Sequence, residues 1–378
     1  MKSLMQFFRE NITKKLIIFG AGSLGQKSLD FIPYEVAYLV DNSSKIWGET
    51  FKQKEIKNPA VLIDEKLEEI CILVMSSFYS EISKQLSDLG FTENKHFFNG
   101  YQMLGALCNS VQQIYLDYPV KSMPRYGYSR PPHKRIYDII NRNRENYRTI
   151  LLDFQQYADK LKQIELIVED NCSTAPRWCN GFLTGLDAVS VYCFLDIYKP
   201  NIYMEIGSGN STKFAKKAIL DHNLDTQIIS IDPCPRAEIN SLCDKIIRQP
   251  LEEVDIEIFN ELGENDILFF DGSHRSFMNS DVVAFFLDIL PNLNSGVLVH
   301  IHDVFLPYDY PIDWEDRYYS EQYLLACYLL AENPKYQILF PSCFITQESE
   351  LSNVLLPLWK SLDPRVQGGG GSFWLRIN

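Results

Sequence analysis

Two short apolar runs, each ending in closely spaced glycines and followed by a helix-like stretch, predict an α/β protein made of two Rossmann-like domains. The first is Lys15-Leu16-Ile17-Ile18-Phe19-Gly20-Ala21-Gly22-Ser23-Leu24-Gly25, and the second is Asn201-Ile202-Tyr203-Met204-Glu205-Ile206-Gly207-Ser208-Gly209-Asn210-Ser211. A strand, a glycine turn and a helix, in that order, open a doubly wound βα unit. A third observation separates the two: residues 119–133 hold four prolines among several aromatics, the composition of an extended linker. The expected order is a nucleotide-binding-type domain over 1–105, a linker and long amphipathic helix over 106–165, and a second α/β domain over 166–378.

Each element follows in turn. Glu35 to Asp41 reads as the first domain's second strand, ending in an acid. Residues 70–75 are continuously apolar, as a parallel strand covered on both faces is. Ser80 to Gly90 has helical spacing, with Gly90 as its cap. From Arg135 onward, Ile136, Ile139, Ile140, Tyr147, Ile150, Leu151, Phe154, Tyr157, Leu161 and Ile164 recur at threes and fours. That period predicts one long helix, docked on the second domain or pairing two copies of the chain. The cations around it (Lys121, Arg125, Arg130, Lys134, Arg135, Arg142, Arg144, Arg148) read as a solvated face. The second domain's strands are expected at 202–206, 227–232, 267–271, 297–303, 336–340 and 372–377, the last two pairing as an antiparallel hairpin. Gln249 to Glu253 reads as the exit of a further strand.

Composition narrows the function. The formal net charge of −13 argues against nucleic acid as the main partner, because phosphate binding needs a cationic face. No run approaches the roughly 20 apolar residues that span a bilayer, so no membrane insertion is expected. The first ten residues are too soon interrupted by charge for a signal peptide, and a cytoplasmic location is expected. Nine cysteines are scattered without a Cys-x-x-Cys pair; Cys172 and Cys179 are the closest two, and all read as idle thiols.

The second glycine motif carries the chemistry. Glycines let a ligand approach the backbone where a Cβ would collide, and the amides of the turn face that ligand. This loop lacks the third glycine of the dinucleotide fingerprint and has Glu205 at its strand end, a pattern suited to a zwitterionic amino-acid ligand. Asp232 ends the next strand, where an acid accepts hydrogen bonds from ribose hydroxyls. Asp271-Gly272-Ser273-His274 follows a third strand, and His302 and Asp303 end a fourth. All four side chains fall at the carboxyl edge where open α/β sheets bind ligands. Strand alternation turns His300 away.

These four blocks, in this order and with the closing Phe373-Trp374-Leu375-Arg376 strand, resemble a class I S-adenosylmethionine-dependent methyltransferase. The resemblance is to the branch of macrocin O-methyltransferase-like and catechol O-methyltransferase-like enzymes, over roughly residues 170–378. It implies that Glu205, Gly207, Gly209 and Ser211 hold the cofactor's methionine part, with Asp271 beside it, and that Asp232 holds the ribose. It implies O-methylation with His274 as general base, since imidazole titrates near neutrality. Asp271, Asp303 and His302 are the candidate ligands for Mg²⁺, as in the metal-dependent members, although magnesium prefers oxygen. Arg177, Trp178, Tyr308 and Tyr310 are expected to shape a pocket for a sugar, glycan precursor or natural-product hydroxyl.

In the first domain, Gly20, Gly22 and Gly25 after a strand, with Asp41 beyond, meet the dinucleotide fingerprint and favour NAD over NADP. Two other functions follow from the sequence. One is an NAD-dependent oxidoreductase or epimerase working through that domain; the other is a non-catalytic cofactor-binding module.

Overall fold

The structure is a computed structural model; it describes residues 13–378 apart from 31, 33, 77, 101–117, 119, 168–172 and 236. The first ten residues, the expected domain end near 105 and Cys172 lie outside the described residues. The chain divides into two compact units, Met1–Val120 and Lys121–Asn378. Both are α/β, each around its own sheet.

The first unit runs β1 (Lys15–Phe19), α1 (Ser23–Ser28), β2 (Val36–Val40), β3 (Thr50–Phe51), β4 (Lys54–Lys57), β5 (Ile70–Val74), α2 (Tyr79–Asp88) and β6 (Phe97–Phe98). The sheet order is β3-β4-β2-β1-β5-β6. All pairs are parallel except the β3–β4 hairpin. Strand β5 is buried at every position, as its unbroken apolar run requires. The hairpin and β6 were not expected; at two to four residues they are too short to show a period.

The second unit contains α3 (Lys134–Asn141), α4 (Arg144–Phe154), α5 (Gly185–Tyr198), β7 (Ile202–Ile206), α6 (Asn210–His222), β8 (Gln227–Ile231), β9 (Lys245–Ile247), β10 (Ile267–Phe270), β11 (Leu298–Ile301), α7 (Glu321–Leu330), β12 (Tyr336–Pro341) and β13 (Phe373–Ile377). The order is β12-β13-β11-β10-β7-β8-β9, with β13 antiparallel to both neighbours. The terminal hairpin pair is therefore present, with β13 inserted between β11 and β12. Strand order reverses at β7, flanked by β8 and β10; such a switch point opens a crevice at the strands' carboxyl ends.

The single long helix does not form. Asn141, Arg142 and Asn143 break it into α3 and α4, and the Asn143 side-chain amide donates to the Ile338 carbonyl at 3.0 Å. Asparagine competes for backbone hydrogen bonds and so interrupts helices. The apolar stripe is buried in the second unit's own core, from Ile136 through Tyr147 and Phe154 to Ile164. The basic residues along it are mostly paired: Arg135 and Arg142 with Glu332, Arg144 with Glu348 and Glu350.

Residues 121–133 are more than a linker. Asp309, 6% exposed, accepts from the Arg125 and Tyr126 amides at 2.5 and 2.8 Å and from the Tyr323 hydroxyl at 2.9 Å. The His133 amide donates to the Pro307 carbonyl at 3.0 Å. These bonds fasten the segment to the loop that follows β11.

One buried acid on α5 holds the closing strand. Asp187, fully buried, accepts from the Gly371 amide at 2.8 Å, the Ser372 amide at 3.0 Å and the Thr184 hydroxyl at 2.5 Å. Beside it, the Trp374 indole packs edge-on to Phe194 and donates to the Ser190 hydroxyl at 3.0 Å.

Candidate active site

At the end of β7 the chain must turn sharply beneath the loop after β10. Gly207 has φ +78°, and a Cβ there would lie 1.9 Å from the Asp271 carbonyl oxygen. Only glycine fits both conditions. Gly209 has open space where its Cβ would be, which is what close approach of a ligand needs. Asp232, at the end of β8, accepts from the Ser208 amide at 2.8 Å and the Cys234 amide at 2.7 Å. Each carboxylate oxygen keeps acceptor capacity for a hydroxyl.

Glu205 faces inward. It has no exposure; Oε1 accepts from the Tyr203 hydroxyl at 2.9 Å, and Oε2 from the Thr212 hydroxyl, which also accepts from the Gly209 amide at 3.0 Å. Burial pushes its carboxyl up to about 7, against the lowering effect of the hydrogen bonds from Ser211, Thr212 and Tyr203. An acid with a raised folded pKa binds more protons folded than unfolded, so its contribution to stability falls as pH rises from about 4.5 to about 7. Glu205→Gln removes that slope. Denaturant melts at pH 5 and pH 8 are expected to show wild type losing up to about 3 kcal/mol relative to the variant. Parallel pH profiles would refute this.

The centre of the site joins three segments. His274, 6% exposed and in the left-handed region at φ +64°, lies directly after β10. Its Nδ1 is 2.5 Å from Glu321 Oε1, at the start of α7. Its Nε2 is 3.2 Å from Asp271 Oδ1 and 3.5 Å from Asp303 Oδ2. His302 Nδ1 lies 3.5 and 3.4 Å from the same two carboxylates, and its Nε2 lies 3.9 Å from Asp187. Burial disfavours charge on both rings, but the surrounding acids outweigh it. Glu321 and Asp271 hold His274 well above its ordinary range, and Asp303 and Asp271 hold His302 up at about 10. The same histidines hold Asp271 well below the carboxylate range despite its burial. His300 behaves as expected of a turned-away residue: it stacks on Phe269 at 4.1 Å and bonds the Ser372 hydroxyl at 2.6 Å.

Asp271, His274 and Asp303 each offer a ligand atom within 4.8 Å of the others. The expected set had His302 in place of His274. Both imidazoles border the two carboxylates, and both His302 ring nitrogens are buried without a hydrogen bond. Two carboxylates with imidazole nitrogens fit a borderline divalent ion better than Mg²⁺, which favours oxygen. Glu321 on the far nitrogen of His274 is the outer partner that orients a ligating imidazole.

Sequence reasoning missed Glu321 and Asp187; Tyr319, one of the aromatics that follow Asp303 in the sequence, has its ring 4.4 Å from that of His274. Two expected pocket residues are largely buried. Trp178 is 9% exposed against Phe214, and Tyr310 is 8% exposed among Phe305, Tyr319 and Tyr323, its hydroxyl accepting from the Gln322 amide. Tyr308 is half-buried and packs against Gly127, and Arg177 is half-buried.

The first unit repeats the same local construction. Asp41 accepts from the Ala21 amide at 2.7 Å, as Asp232 does from that of Ser208, and its other oxygen takes the Ser43 amide at 2.8 Å. A Cβ on Gly25 would lie 1.8 Å from the Gly20 carbonyl, the close helix–strand packing that the third glycine permits, while Gly22 is open. Among the described residues, no helix is long and apolar enough to cross a membrane.

Comparison with known proteins agrees with this geometry. Residues 204–304 match the family model described as a methyltransferase domain, and residues 12–97 match one described as C2185-like, N-terminal. The second unit thus contains a methyltransferase domain, and the protein is a methyltransferase. The chain belongs to the same family as an uncharacterized protein of Archaeoglobus fulgidus, 34% identical over 166 residues, or 38% of this chain and 75% of that one. More distant likenesses include the S-adenosylhomocysteine-bound methyltransferase PaMTH1 of Podospora anserina (18% identity, 50% of this chain and 77% of that one, TM-score 0.32). The methyltransferase FkbM of Methylobacillus flagellatus is another (14% identity, 86% of each chain, TM-score 0.35).

Proposed function

We propose that the second unit methylates a hydroxyl of a sugar, glycan precursor or natural product, with His274 as the proton acceptor. The observation that carries this reading is the orientation of His274: Glu321 takes Nδ1, and Nε2 points between Asp271 and Asp303 at the switch-point edge. S-adenosylmethionine supplies an electrophilic methyl group on a positively charged sulfonium. The open turn at Gly209 and the acceptor oxygens of Asp232 bind it, and Glu205 acts from beneath by fixing Thr212 and the turn. The acceptor oxygen attacks the methyl carbon as the carbon–sulfur bond breaks, sulfur keeps that electron pair, and Nε2 of His274 takes the hydroxyl proton. Glu321 and Asp271 raise the proton affinity of His274, which suits an acceptor, and positive charge brought to the same edge moderates that rise.

A second reading rests on the carboxylate–imidazole spacing. Asp271, Asp303 and His274 or His302 would hold a divalent cation, which would acidify and orient the acceptor hydroxyl. Activity lost on chelation and restored by metal would favour this reading; activity indifferent to chelator would leave His274 the base.

The cofactor site is tested by thermal shift with S-adenosylhomocysteine. At about 100 times its dissociation constant a ligand stabilises by about 2.7 kcal/mol. Asp232→Ala is expected to weaken binding at least tenfold, or about 1.4 kcal/mol. Unchanged affinity would remove Asp232 from the site.

A further inference from the structure

Two arginines stand beside His274 without a carboxylate partner. The Arg275 guanidinium lies 5.1 Å from the centre of the Tyr319 ring. That of Arg317 lies 5.6 Å from the same ring and 4.0 Å from the Trp314 ring. Tyr319 is the residue whose ring approaches His274 at 4.4 Å. Among the described residues neither guanidinium is in an ion pair, in a chain with 49 Asp and Glu against 36 Lys and Arg.

The backbone around them is tied to the catalytic loop. Arg275 Nε donates to the Arg317 carbonyl at 2.9 Å, and its Nη1 donates to the Ser273 carbonyl at 3.0 Å. The Ser320 amide donates to the His274 carbonyl at 2.8 Å, and the Ser276 and Ser320 hydroxyls meet at 3.1 Å. Two of the five guanidinium donors of Arg275 are thereby used, and among the described residues the other three have no hydrogen-bond acceptor. A guanidinium held on an aromatic face keeps its charge, is weakly hydrated, and presents a planar fork that matches an oxyanion. At the centre of the site the carboxylates of Asp271, Asp303 and Glu321 face two imidazoles, so the cationic charge without an acid beside it lies on the arginines, where an anionic group is attracted.

We propose that Arg275 and Arg317 bind an oxyanion group, phosphate monoester or carboxylate, carried by the methyl acceptor, so that a neighbouring hydroxyl reaches His274. This rests on the reading of His274 as the transfer centre. The acceptor class is then an anionic sugar or similar small acid.

Calorimetry on the full chain tests it. Protein saturated with S-adenosylhomocysteine is titrated with glucose, glucose 6-phosphate and glucuronate. At least one anionic sugar is expected to bind and glucose not to; which anion binds separates phosphate from carboxylate. Arg275→Ala and Arg317→Ala should each weaken that binding at least tenfold, and Arg317→Lys should restore part of it. S-adenosylhomocysteine affinity should stay unchanged, which also shows that the variants fold. Neither anion binding to wild type, or anions binding both alanine variants as tightly as wild type, overturns the proposal. Failure of the methyltransferase reading is seen separately, as absent S-adenosylhomocysteine binding.

Discussion

Replacing His274 with alanine lowers the rate of methyl transfer on the order of 10²–10⁴-fold, the usual contribution of a positioned acid–base group. S-adenosylhomocysteine affinity stays near wild type, because the turn at Gly207 and the acid at Asp232 are intact. The size of the loss follows from geometry. The imidazole is buried, fixed by Glu321 at 2.5 Å, and presents Nε2 between two carboxylates. Glu321→Gln keeps an acceptor for Nδ1 but removes the charge behind it, so its loss should be smaller than that of the alanine variant. Single-turnover rates with an identified acceptor, alongside calorimetry with S-adenosylhomocysteine, make the measurement. A His274→Ala enzyme that turns over at the wild-type rate would remove the imidazole from the chemistry.

Asp187→Ala should destabilise the second unit by about 3–5 kcal/mol. Removing one partner of a buried charged network leaves the others uncompensated, and here two backbone amides and a hydroxyl lose their acceptor together. The melting temperature should fall on the order of 10 °C. The same carboxylate lies 3.9 Å from His302 Nε2, so the variant should also disturb Asp271 and Asp303, which His302 borders. A melting temperature within a degree or two of wild type would show that water replaces the carboxylate without cost.

Both glycine turns and their strand-end acids were legible in the sequence because each is a local pattern. Gly207, Asp232, Asp271, His274 and Asp303 fall within a few residues of a strand's carboxyl end, and strand periodicity places that end. Glu321 was not legible. It comes 47 residues after its partner and opens a helix whose other residues are mostly apolar. Asp187 sits in an equally apolar helix, and its partners are 184 and 185 residues away. Nothing local distinguishes a buried acid with distant partners from a capping acid. The burial of Trp178 and Tyr310 was equally illegible, because nothing local separates an aromatic packed against distant rings from an exposed one. The break between α3 and α4 had a visible signal, since Asn141 and Asn143 flank Arg142, but the apolar spacing on both sides obscured it.

The position of β13 has a consequence for biosynthesis. Residues 373–377 are made after every other strand of their sheet, yet they lie between β11 and β12. While the chain is still growing on the ribosome, those two strands face each other across a missing row, each with an unpaired edge. Such edges invite pairing with other nascent chains. Asp303, just past the end of β11, therefore gains its final support only when β13 has been translated, and premature termination just upstream of residue 373 would release a chain with Asp271, His274 and Asp303 present and a sheet that cannot close.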